Sequence, residues 1–391
     1  MDSRVNPALL GRLNVRRVLE VLHQHGPASR ADVTRRAGVS APTVSKAVDS
    51  LLRSGMVEEG EAPAAAVGRP ARVLRLASSS VRVLGVVLDA RACSVVSAGL
   101  DGRFGEEDVR IFPTPGTYGR LIDMAARRAA DLMVGRNATT LGLGVSMPGL
   151  IDRRTGEGVL SPNLHATDGR APGRDLAEKL GVPGVVRQES HALCLAEGLW
   201  GAARGLDDFA MLDVSTGLGL GVMSGGRLLE GATGFAGELG HVTIDPRGRP
   251  CGCGNTGCLE TVATDSALAR LVSERLRRTV DIDEAVRLFQ SGRLRAQDLL
   301  HRTLDPLAVA VAAVLNIFNP ATLLVHGRLL EAREGLFERL LDRVRRRALG
   351  PPFARCRIVQ ARGSKRQGAL AGIVHHLMDS MAPRLAWPAP K

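Results

Sequence analysis

One histidine and three cysteines lie close together in the second half of the chain, at the spacing His-x9-Cys-x-Cys-x4-Cys. They are His241, Cys251, Cys253 and Cys258. One imidazole and three thiolates at short intervals can close a tetrahedron around one zinc ion. The glycines between the cysteines leave the backbone free to wrap tightly around a metal. The sequence therefore predicts a structural zinc site, with three buried cysteines and a core histidine, or a disulfide, as the alternatives.

Two carboxylates bracket this cluster without occupying a ligand position. They are Glu238 and Glu260, and a zinc ion between them could hold both towards a substrate. The three remaining cysteines lie in apolar surroundings, which is typical of packing residues. Six cysteines of which three cluster with a histidine indicate a reducing compartment rather than a disulfide framework.

The bulk properties bound the class of protein. A chain of 391 residues is too long for one core, so two or three domains are expected. A net charge of +12 favours a polyanionic partner, but the excess of arginine makes that signal weak. The sequence has no apolar run of about 18 residues and no secretory leader, which predicts a cytoplasmic protein without a membrane span.

Residues 10–76 have the pattern of helix, helix, turn, helix and hairpin. Apolar residues recur at helical spacing over residues 13–22, and a Gly-Pro pair ends that helix. Ser29, with an acidic residue three positions later, begins a second helix in the manner of a capping box. Ser40 is predicted to cap a third helix over residues 41–54, and two short strands follow. This order is that of a winged helix-turn-helix.

Such a domain reads DNA with the first residues of its third helix, which would enter a major groove. Serine and threonine hydroxyls bond bases or phosphates, lysine suits phosphates, and an arginine at the wing tip can enter a minor groove. The residues predicted to contact DNA are Arg30, Ser40, Thr43, Ser45, Lys46 and Arg69. The alternative is a small helical dimerisation or capping domain whose polar residues are merely solvated.

From residue 81 onward, strands alternate with helices in two similar lobes, which indicates an α/β architecture with a cleft between them. We predict the DNA-binding domain over residues 1–77, the first lobe over 78–205 and the second lobe, with the zinc loop, over 206–363. A C-terminal helix over residues 364–380 is predicted to return to the first lobe.

The chain resembles the ROK family (repressors, open reading frames and sugar kinases), whose hallmark is the His-plus-Cys zinc loop. The head matches ROK repressors in Leu-x-x-x-Gly-Pro-x-Ser-Arg, Gly-Val-Ser-x-x-Thr-Val-Ser and Gly-Arg-Pro. The resemblance runs through nearly the whole chain. It implies an N-terminal all-α winged helix-turn-helix domain followed by a two-lobed α/β domain of the ribonuclease-H/actin-like sugar kinase fold.

The same resemblance exposes departures from the kinases of the family. Their first phosphate turn, of the type Asp-x-Gly-Gly-Thr, corresponds here to a segment in which Val87 replaces the aspartate and Arg91 the threonine. Asp89 is displaced by two positions. A second glycine-rich loop survives at residues 215–221, although such a pattern alone is a weak signal. The adenosine-side Gly-Gly has become His326-Gly327.

In the kinases of the family, the catalytic base for the sugar hydroxyl is an aspartate in an Asn-Asp-Ala-Asn stretch. Glu189 stands at that position here, with Gln188 and His191 in place of two residues that orient the sugar. A carboxylate displaced by about 1 Å can lose on the order of a hundredfold in rate. The sequence therefore favours no catalysis, with ordinary loop-to-helix residues as the alternative interpretation.

The sugar-binding shell of the family is better preserved. By resemblance, Glu238, His241 and Glu260 would accept sugar hydroxyls, with Pro148-Gly149 and Asn163 on the opposite wall and Gln188 and Glu189 beside them. His241 would serve both the zinc ion and the sugar, one ring nitrogen for each.

These features together predict a cytoplasmic, nucleoid-associated transcriptional regulator, most simply a repressor. Its partners would be operator DNA, a sugar or sugar-derivative effector, and further copies of itself in a homodimer or homotetramer. Two rivals stay open: an ATP-dependent hexokinase with a fused DNA-binding domain, and a ligand-blind repressor controlled by a protein partner.

Overall fold

The computed structural model describes residues 7–61, 72–134, 137–361 and 363–381. The chain divides into two compact units. Unit 1 comprises Met1–Ser146, Pro172–Val186 and Ala369–Lys391, and unit 2 comprises Met147–Ala171 and Arg187–Gly368. The predicted domain bounds at residues 77, 205 and 363 remain predictions.

Helices and strands follow one another along the whole described chain. The first part contains α1 (Pro7–His25), α2 (Arg30–Ala37), α3 (Ala41–Arg53), β1 (Val57–Glu61), β2 (Arg72–Leu76), β3 (Val81–Val87), β4 (Ala92–Ala98), β5 (Val109–Pro113), α4 (Tyr118–Met133), β6 (Thr139–Met147), β7 (Leu150–Ile151), β8 (Gly158–Leu160), α5 (Pro172–Leu180), β9 (Gly184–Gln188) and α6 (Glu189–Trp200). The second part contains β10 (Phe209–Asp213), β11 (Gly219–Ser224), β12 (Arg227–Leu228), α7 (Asp265–Leu276), α8 (Ile282–Gln290), α9 (Gln297–Phe318), β13 (Thr322–His326), α10 (Leu336–Arg345), α11 (Gly350–Arg355), β14 (Arg357–Gln360) and α12 (Lys365–Met381).

The head of unit 1 has the predicted order of three helices and a hairpin. α1 packs against α2 and α3, and β1 pairs antiparallel with β2. The buried face of α3 is apolar and consists of Val44, Ala47, Val48 and Leu51. Burying such a stripe against α1 supplies most of the stability of these short helices, because isolated helices of this length are marginal in water.

Local hydrogen bonds set the helix ends of this head. Ser29 and Asp32 form the predicted capping box, in which each side chain bonds the other residue's backbone N–H. Gly38 ends α2 in the left-handed conformation, with φ of 64°. The prediction for Ser40 was wrong in one respect: it occupies the N-cap position, but its hydroxyl lies 2.8 Å from that of Thr43 and makes no capping bond.

Each unit holds a five-stranded sheet, and the two sheets share one plan. The strand order is β5-β4-β3-β6-β9 in one sheet and β12-β11-β10-β13-β14 in the other. In both, three antiparallel strands are followed by a parallel neighbour, β6 beside β3 and β13 beside β10. This repetition agrees with the expectation of two similar lobes.

Helix α6 begins two residues earlier than the predicted start at residue 191, so Glu189 is the first residue of α6 and Gln188 the last residue of β9. The edge strands β5 and β14 were not predicted, because each is short and carries an arginine, Arg110 in β5 and Arg357 in β14.

Helix α9 is the only helix of the described residues that is long and apolar enough to cross a membrane by length and composition. Of its most apolar 18-residue window, 56% is buried inside the protein. Leu304, Leu307, Val311 and Leu315 lie in the main core cluster of unit 2. The apolar character of α9 is that of a core helix.

Candidate functional site

The four predicted metal ligands converge in unit 2. The ligand atoms of His241, Cys251, Cys253 and Cys258 all lie within 4.8 Å of one another. The sulfurs of Cys253 and Cys258 are 3.8 Å apart, and the Cys251 sulfur lies 3.6 Å from Nδ1 of His241. Zinc–sulfur bonds of about 2.3 Å at tetrahedral angles separate two sulfurs by about 3.8 Å, so the cluster has the dimensions of a zinc site.

All six cysteines are free thiols, so the disulfide alternative is not formed. A narrow backbone ribbon carries the ligands: isolated bridges pair Thr243 with Cys258 and Pro250 with Thr256. Gly257, with φ of 75°, lies so close to this ribbon that a Cβ would come within 1.6 Å of the Asp245 carbonyl oxygen. The glycine there is a requirement of the fold, since any side chain would force the ribbon apart.

His241 faces two ways. Its Nδ1 points towards Cys251 and lies 3.6 Å from Oε1 of Glu260, while its Nε2 lies 3.5 Å from Oε2 of Glu238. One ring nitrogen can therefore serve a metal while the other faces the predicted sugar carboxylate. Such an outer partner fixes the orientation of a ligating imidazole.

The glycine-rich loop brings further members of the predicted sugar set together. A Cβ on Gly217 would lie 3.0 Å from Oε2 of Glu260 and 3.9 Å from Nδ2 of Asn163. Pro148 is also held in unit 2, where its carbonyl accepts a hydrogen bond of 3.0 Å from the Ser161 hydroxyl. Asn163 is thus a close neighbour of Glu260 and, through it, of His241 and Glu238, although it comes from a distant part of the sequence.

Gln188 extends this set from the other side. Its amide Nε2 donates to Oε1 of Glu238 at 2.5 Å, and its own Oε1 is buried without a hydrogen bond within the described residues. His191 is 3% exposed and its Nε2 lies 3.0 Å from the carbonyl oxygen of Ala236. Burial lowers the pKa of His191, more than its bond to Ala236 raises it, which favours the neutral imidazole. His191 consequently supports the 236–238 turn from behind.

The residue predicted to stand at the base position of the family's kinases has a charged partner. Glu189 forms an ion pair with Lys365, the first residue of α12. Both side chains are mostly buried, at 16% and 22% exposure. A carboxylate that is held by an ammonium group is a weaker proton acceptor than one facing a substrate hydroxyl.

A second charged pair lies at the carboxyl ends of two parallel strands. Asp213 ends β10 and His326 ends β13, and His326 Nδ1 lies 2.8 Å from Oδ1 of Asp213. Burial opposes ionisation of Asp213, but the hydrogen bond and charge of His326 outweigh it and hold the pKa of Asp213 below its usual value. Burial likewise opposes protonation of His326, and the bond to Asp213 outweighs it and raises the pKa of His326. Both shifts favour the ion pair over the neutral pair.

Sequence reasoning missed Asp213 and Lys365 as members of this charged group. Asp213 had a usable signal, because it follows an apolar strand and precedes the glycine-rich loop. Lys365 had none, since nothing in its neighbourhood marks it as a partner of Glu189.

The segment predicted to correspond to the first phosphate turn of the family lies in unit 1. Val87 is the last residue of β3 and is 5% exposed, so it packs in the core. The backbone carbonyl of Asp89 accepts a 2.6 Å hydrogen bond from the Thr114 hydroxyl. The turn after β3 is therefore held by core packing at Val87 and by the hydrogen bond between Asp89 and Thr114.

The predicted DNA contacts lie mostly on the outer face of the head. Ser40 and Lys46 are exposed, and Thr43 and Ser45 are half-buried on α3. Arg30 differs, because its guanidinium donates to Asp49 of α3 at 3.2 Å and to Glu59 of β1 at 3.1 Å. Arg30 therefore fastens the third helix to the hairpin. Arg69 lies outside the described residues.

Two sequence profiles match the chain. That of the ROK family matches residues 106–378, and that of the MarR family matches residues 13–66. Among curated proteins, the xylose repressor of Bacillus subtilis (strain 168) is 28% identical over 82% of this chain and 83% of its own length. The DNA-binding transcriptional repressor Mlc of Escherichia coli (strain K12) is 26% identical over 92% of this chain and 91% of its own length.

Solved structures give the same result. A ROK family transcriptional regulator, a homolog of the E. coli MLC protein, superposes with a TM-score of 0.79 at 25% identity, covering 95% of this chain and 98% of its own. The ROK hexokinase from Thermus thermophilus superposes with a TM-score of 0.63 at 31% identity, covering 76% of this chain and 99% of its own. The predicted fold, a winged helix-turn-helix joined to an actin-like sugar-kinase domain, is confirmed.

Proposed function

The chain belongs to the ROK family, and from this premise we propose that it is a sequence-specific DNA-binding transcriptional regulator, acting as a repressor. A sugar or sugar derivative bound to its kinase-like domain would set its affinity for the operator. The observation that carries this proposal is the presence, in one chain, of a winged helix-turn-helix head and a clustered set of predicted sugar-binding residues. By their names, one relative is a xylose repressor and the other, Mlc, is a DNA-binding transcriptional repressor.

The sugar set supports an effector site in unit 2. Glu238, Glu260 and Asn163 present two carboxylates and an amide, and the hydroxyls of a sugar are donors that such groups bind well. Glu238 carries a pKa raised chiefly by burial, so it gains more from a hydrogen-bonding ligand than a solvated carboxylate would. A sugar hydroxyl on Glu238 would compete with the amide of Gln188 or share the carboxylate with it.

We propose that the metal is zinc, held by His241, Cys251, Cys253 and Cys258. The donor set of three thiolates and one imidazole suits zinc and leaves no open position for catalysis. The ion supplies rigidity: it fixes the ring of His241 and, through it, Glu238 and Glu260. Its role would be structural.

We propose further that the chain is not a sugar kinase. Glu189 at the base position is engaged by Lys365, and Val87 fills the position of the family's aspartate. The rival is a hexokinase with a fused DNA-binding domain. A coupled assay of ADP release across hexoses separates the two, since turnover that is abolished by Glu189→Gln would establish the enzyme.

The deciding experiment is genome-wide mapping of bound DNA, followed by gel-shift titration of the recovered sites with D-glucose, D-xylose and N-acetyl-D-glucosamine. We expect discrete palindromic sites and weaker binding with one sugar, in a homodimer or homotetramer whose size light scattering reports. Specific sites without any sugar response would favour a ligand-blind repressor controlled by a protein partner. Absence of specific sites would overturn the proposal.

A further inference from the structure

A cavity in unit 2 brings together three arginine side chains from separate parts of the chain. Its volume is about 370 Å³, which is within the range of small-molecule pockets. Arg249 comes from the ribbon that carries the metal ligands, Arg270 from α7 and Arg302 from α9. None of the described residues that line the cavity belongs to the predicted sugar set. The cavity is therefore a feature that the proposed function does not use.

The carboxylate beside these arginines leaves positive charge in excess. Arg249 and Arg270 share one oxygen, Oε1 of Glu274, at 3.4 Å and 3.2 Å. The guanidinium of Arg302 makes no hydrogen bond or ion pair with any residue that the structure describes. An anion in the cavity would therefore meet a guanidinium for which no carboxylate competes.

Asp245 is the one acidic side chain among the described residues that line the cavity, and its own turn occupies it. Its Oδ1 accepts a hydrogen bond of 3.0 Å from the backbone N–H of Arg247, and its carbonyl oxygen accepts one of 2.8 Å from the N–H of Gly248. Aspartate in the first position, proline in the second and glycine in the fourth are typical of such a turn. Asp245 therefore shapes the loop rather than pairing with one of the three arginines.

Arg270 shows that the three positive charges act on one another. Its side chain is 29% exposed, and its Nη2 donates to the carbonyl oxygen of Thr261 at 2.8 Å. Burial lowers the pKa of Arg270, and the charges of Arg249 and Arg302 lower it further. The hydrogen bond to Glu274 opposes these effects without outweighing them. Guanidinium groups that repel one another are stabilised when an anion binds among them.

The donors of the cavity favour a phosphate group over a carboxylate. A phosphate monoester carries about −1.5 to −2 charges near pH 7 and offers three acceptor oxygens. Guanidinium forks bind such oxygens in pairs, and arginine is more weakly hydrated than lysine. A single carboxylate would offer only two oxygens and one charge to three guanidinium groups. The arginine set therefore suits phosphate better.

Part of the lining is apolar and indicates an organic molecule. This part consists of Ile244, Val262, Leu271 and Pro306, and Ile244 is 40% exposed. An inorganic ion would contact the guanidinium groups alone. The carbon skeleton of an organic phosphate would also cover the apolar surface, which is favourable in water.

We propose that Arg249, Arg270 and Arg302 form a binding site for the phosphate group of a small organic molecule, whose carbon skeleton lies against the apolar part of the cavity. The site is separate from the sugar set and does not rest on the proposed function. Free inorganic phosphate offers the arginines the same chemistry without the carbon skeleton. The phosphates of a DNA duplex are spread along a regular convex surface, so a concave cavity with an apolar part favours the small molecule.

The first test is isothermal titration calorimetry of the full-length protein with D-glucose 6-phosphate and inorganic phosphate, and with D-glucose as the phosphate-free reference. We expect both phosphates to bind, and the sugar phosphate to bind at least about threefold more tightly because it also covers apolar surface. Equal affinities would support the site and identify the free ion as its ligand. No binding of either phosphate at about 10 mM would overturn the proposal.

Arg302→Met is the decisive variant, because the Arg302 guanidinium has no partner among the described residues whose loss would disturb the fold. It should weaken binding of both phosphates about tenfold or more, since a charged hydrogen bond is lost. Arg302→Lys keeps the charge without the fork and should fall between Arg302→Met and the wild type. Thermal melting verifies that each variant is folded.

The matched control is Arg293→Met, which removes an exposed arginine outside the cavity. It should change the affinity for either phosphate by less than about twofold, because an exposed charge far from a ligand is screened. A loss in this control equal to that in Arg302→Met would attribute the binding to general surface charge and overturn the proposal.

Two further measurements separate this site from the sugar set and from DNA. Glu238→Gln, in the sugar set, should leave the affinity for inorganic phosphate unchanged, and phosphate binding that depends on Glu238 but not on Arg302 would overturn the proposal. Arg302→Met should keep the operator Kd within about twofold of the wild type. Weaker operator binding with unchanged phosphate binding would assign the arginine to DNA and also overturn it. Either result would leave the proposed function standing, since that function is judged by operator sites and the response to sugars.

Discussion

Two sides of the candidate site in unit 2 hold their polar groups by different means. The zinc side consists of His241, the three clustered cysteines, Glu238 and Glu260, and it is held by a ligand set for a metal. The charged side consists of Glu189, Lys365, Asp213 and His326, and it is held by ion pairs. By resemblance, the zinc side keeps the residue types of the family, whereas the charged side departs from them at Glu189 and His326. Under the proposed function, the zinc side would recognise the ligand, while the charged side would hold its polar groups by internal charge pairing instead of transferring a phosphoryl group.

The largest effect is expected from removing the metal of the zinc side. Cys253→Ser should abolish stoichiometric zinc and lower the melting temperature by about 10 °C or more, because the binding energy of a structural metal is also folding energy. Elemental analysis and thermal melting measure the two quantities. A chelator should have the same effect on the wild type and none on the variant.

The control for this change is Cys356→Ser, which alters a half-buried thiol outside the cluster. It should leave the zinc content unchanged and shift the melting temperature by only a few degrees. A wild-type protein that contains no zinc, or a Cys253→Ser variant that retains it, would contradict the assignment of the zinc side.

The two sides also differ in how far the sequence predicts them. The zinc ligands lie within one short segment, so their spacing alone predicted the cluster. The double role of its histidine, with one ring nitrogen for the metal and the other for the sugar, was expected from resemblance. The charged side unites residues far apart in the chain: Asp213 and His326 are separated by 113 positions. Only the sheet, with β10 and β13 parallel and in register, makes them neighbours.

The same reason accounts for the ion pairs of Arg30, which were not predicted. Arg30 stays a predicted DNA contact from its place in a motif, but the carboxylates beside its guanidinium depend on the fold. Here Asp49 and Glu59 are those carboxylates. The capping box of Ser29, by contrast, depends on residues three positions apart and was predicted correctly. The sequence therefore predicts hydrogen bonds between residues a few positions apart, but it does not predict ion pairs between residues that are far apart in the chain.

A smaller effect is expected on sugar affinity, which should depend more on the zinc side than on the charged side. Glu238→Gln should weaken binding of the active sugar by about tenfold to a hundredfold, because it removes a charged hydrogen-bond acceptor from the set. Glu189→Gln should weaken it only about threefold, since that carboxylate is already shared with Lys365. Isothermal titration calorimetry measures both. Equal losses in the two variants would mean that the charged side binds the sugar as strongly as the zinc side.

The smallest effect concerns pH. The raised pKa of His326 contributes stability that is complete below its ordinary value of 6.5 and is lost as pH rises through the folded value. The lowered pKa of Asp213 contributes stability that is present above 3.8 and is lost as pH falls through its folded value. The Asp213–His326 pair thus contributes most stability between these two values.

His326→Asn keeps a donor for Asp213 but removes the titrating charge, so the variant should lose less stability than the wild type between pH 6 and pH 8.5. The difference should be on the order of 1 kcal/mol in the free energy of unfolding, measured by urea denaturation at each pH. Asp265, whose pKa burial raises to about 6, interacts by charge with His326, so the difference between the two proteins includes the change that loss of His326 causes in Asp265. His301→Asn, on an exposed position of α9, is the matched control and should follow the wild type. Parallel pH profiles for wild type and His326→Asn would show that the pair at the ends of β10 and β13 is not ionic in solution. The Glu189–Lys365 pair would then be the only ion pair left to distinguish the charged side from the zinc side.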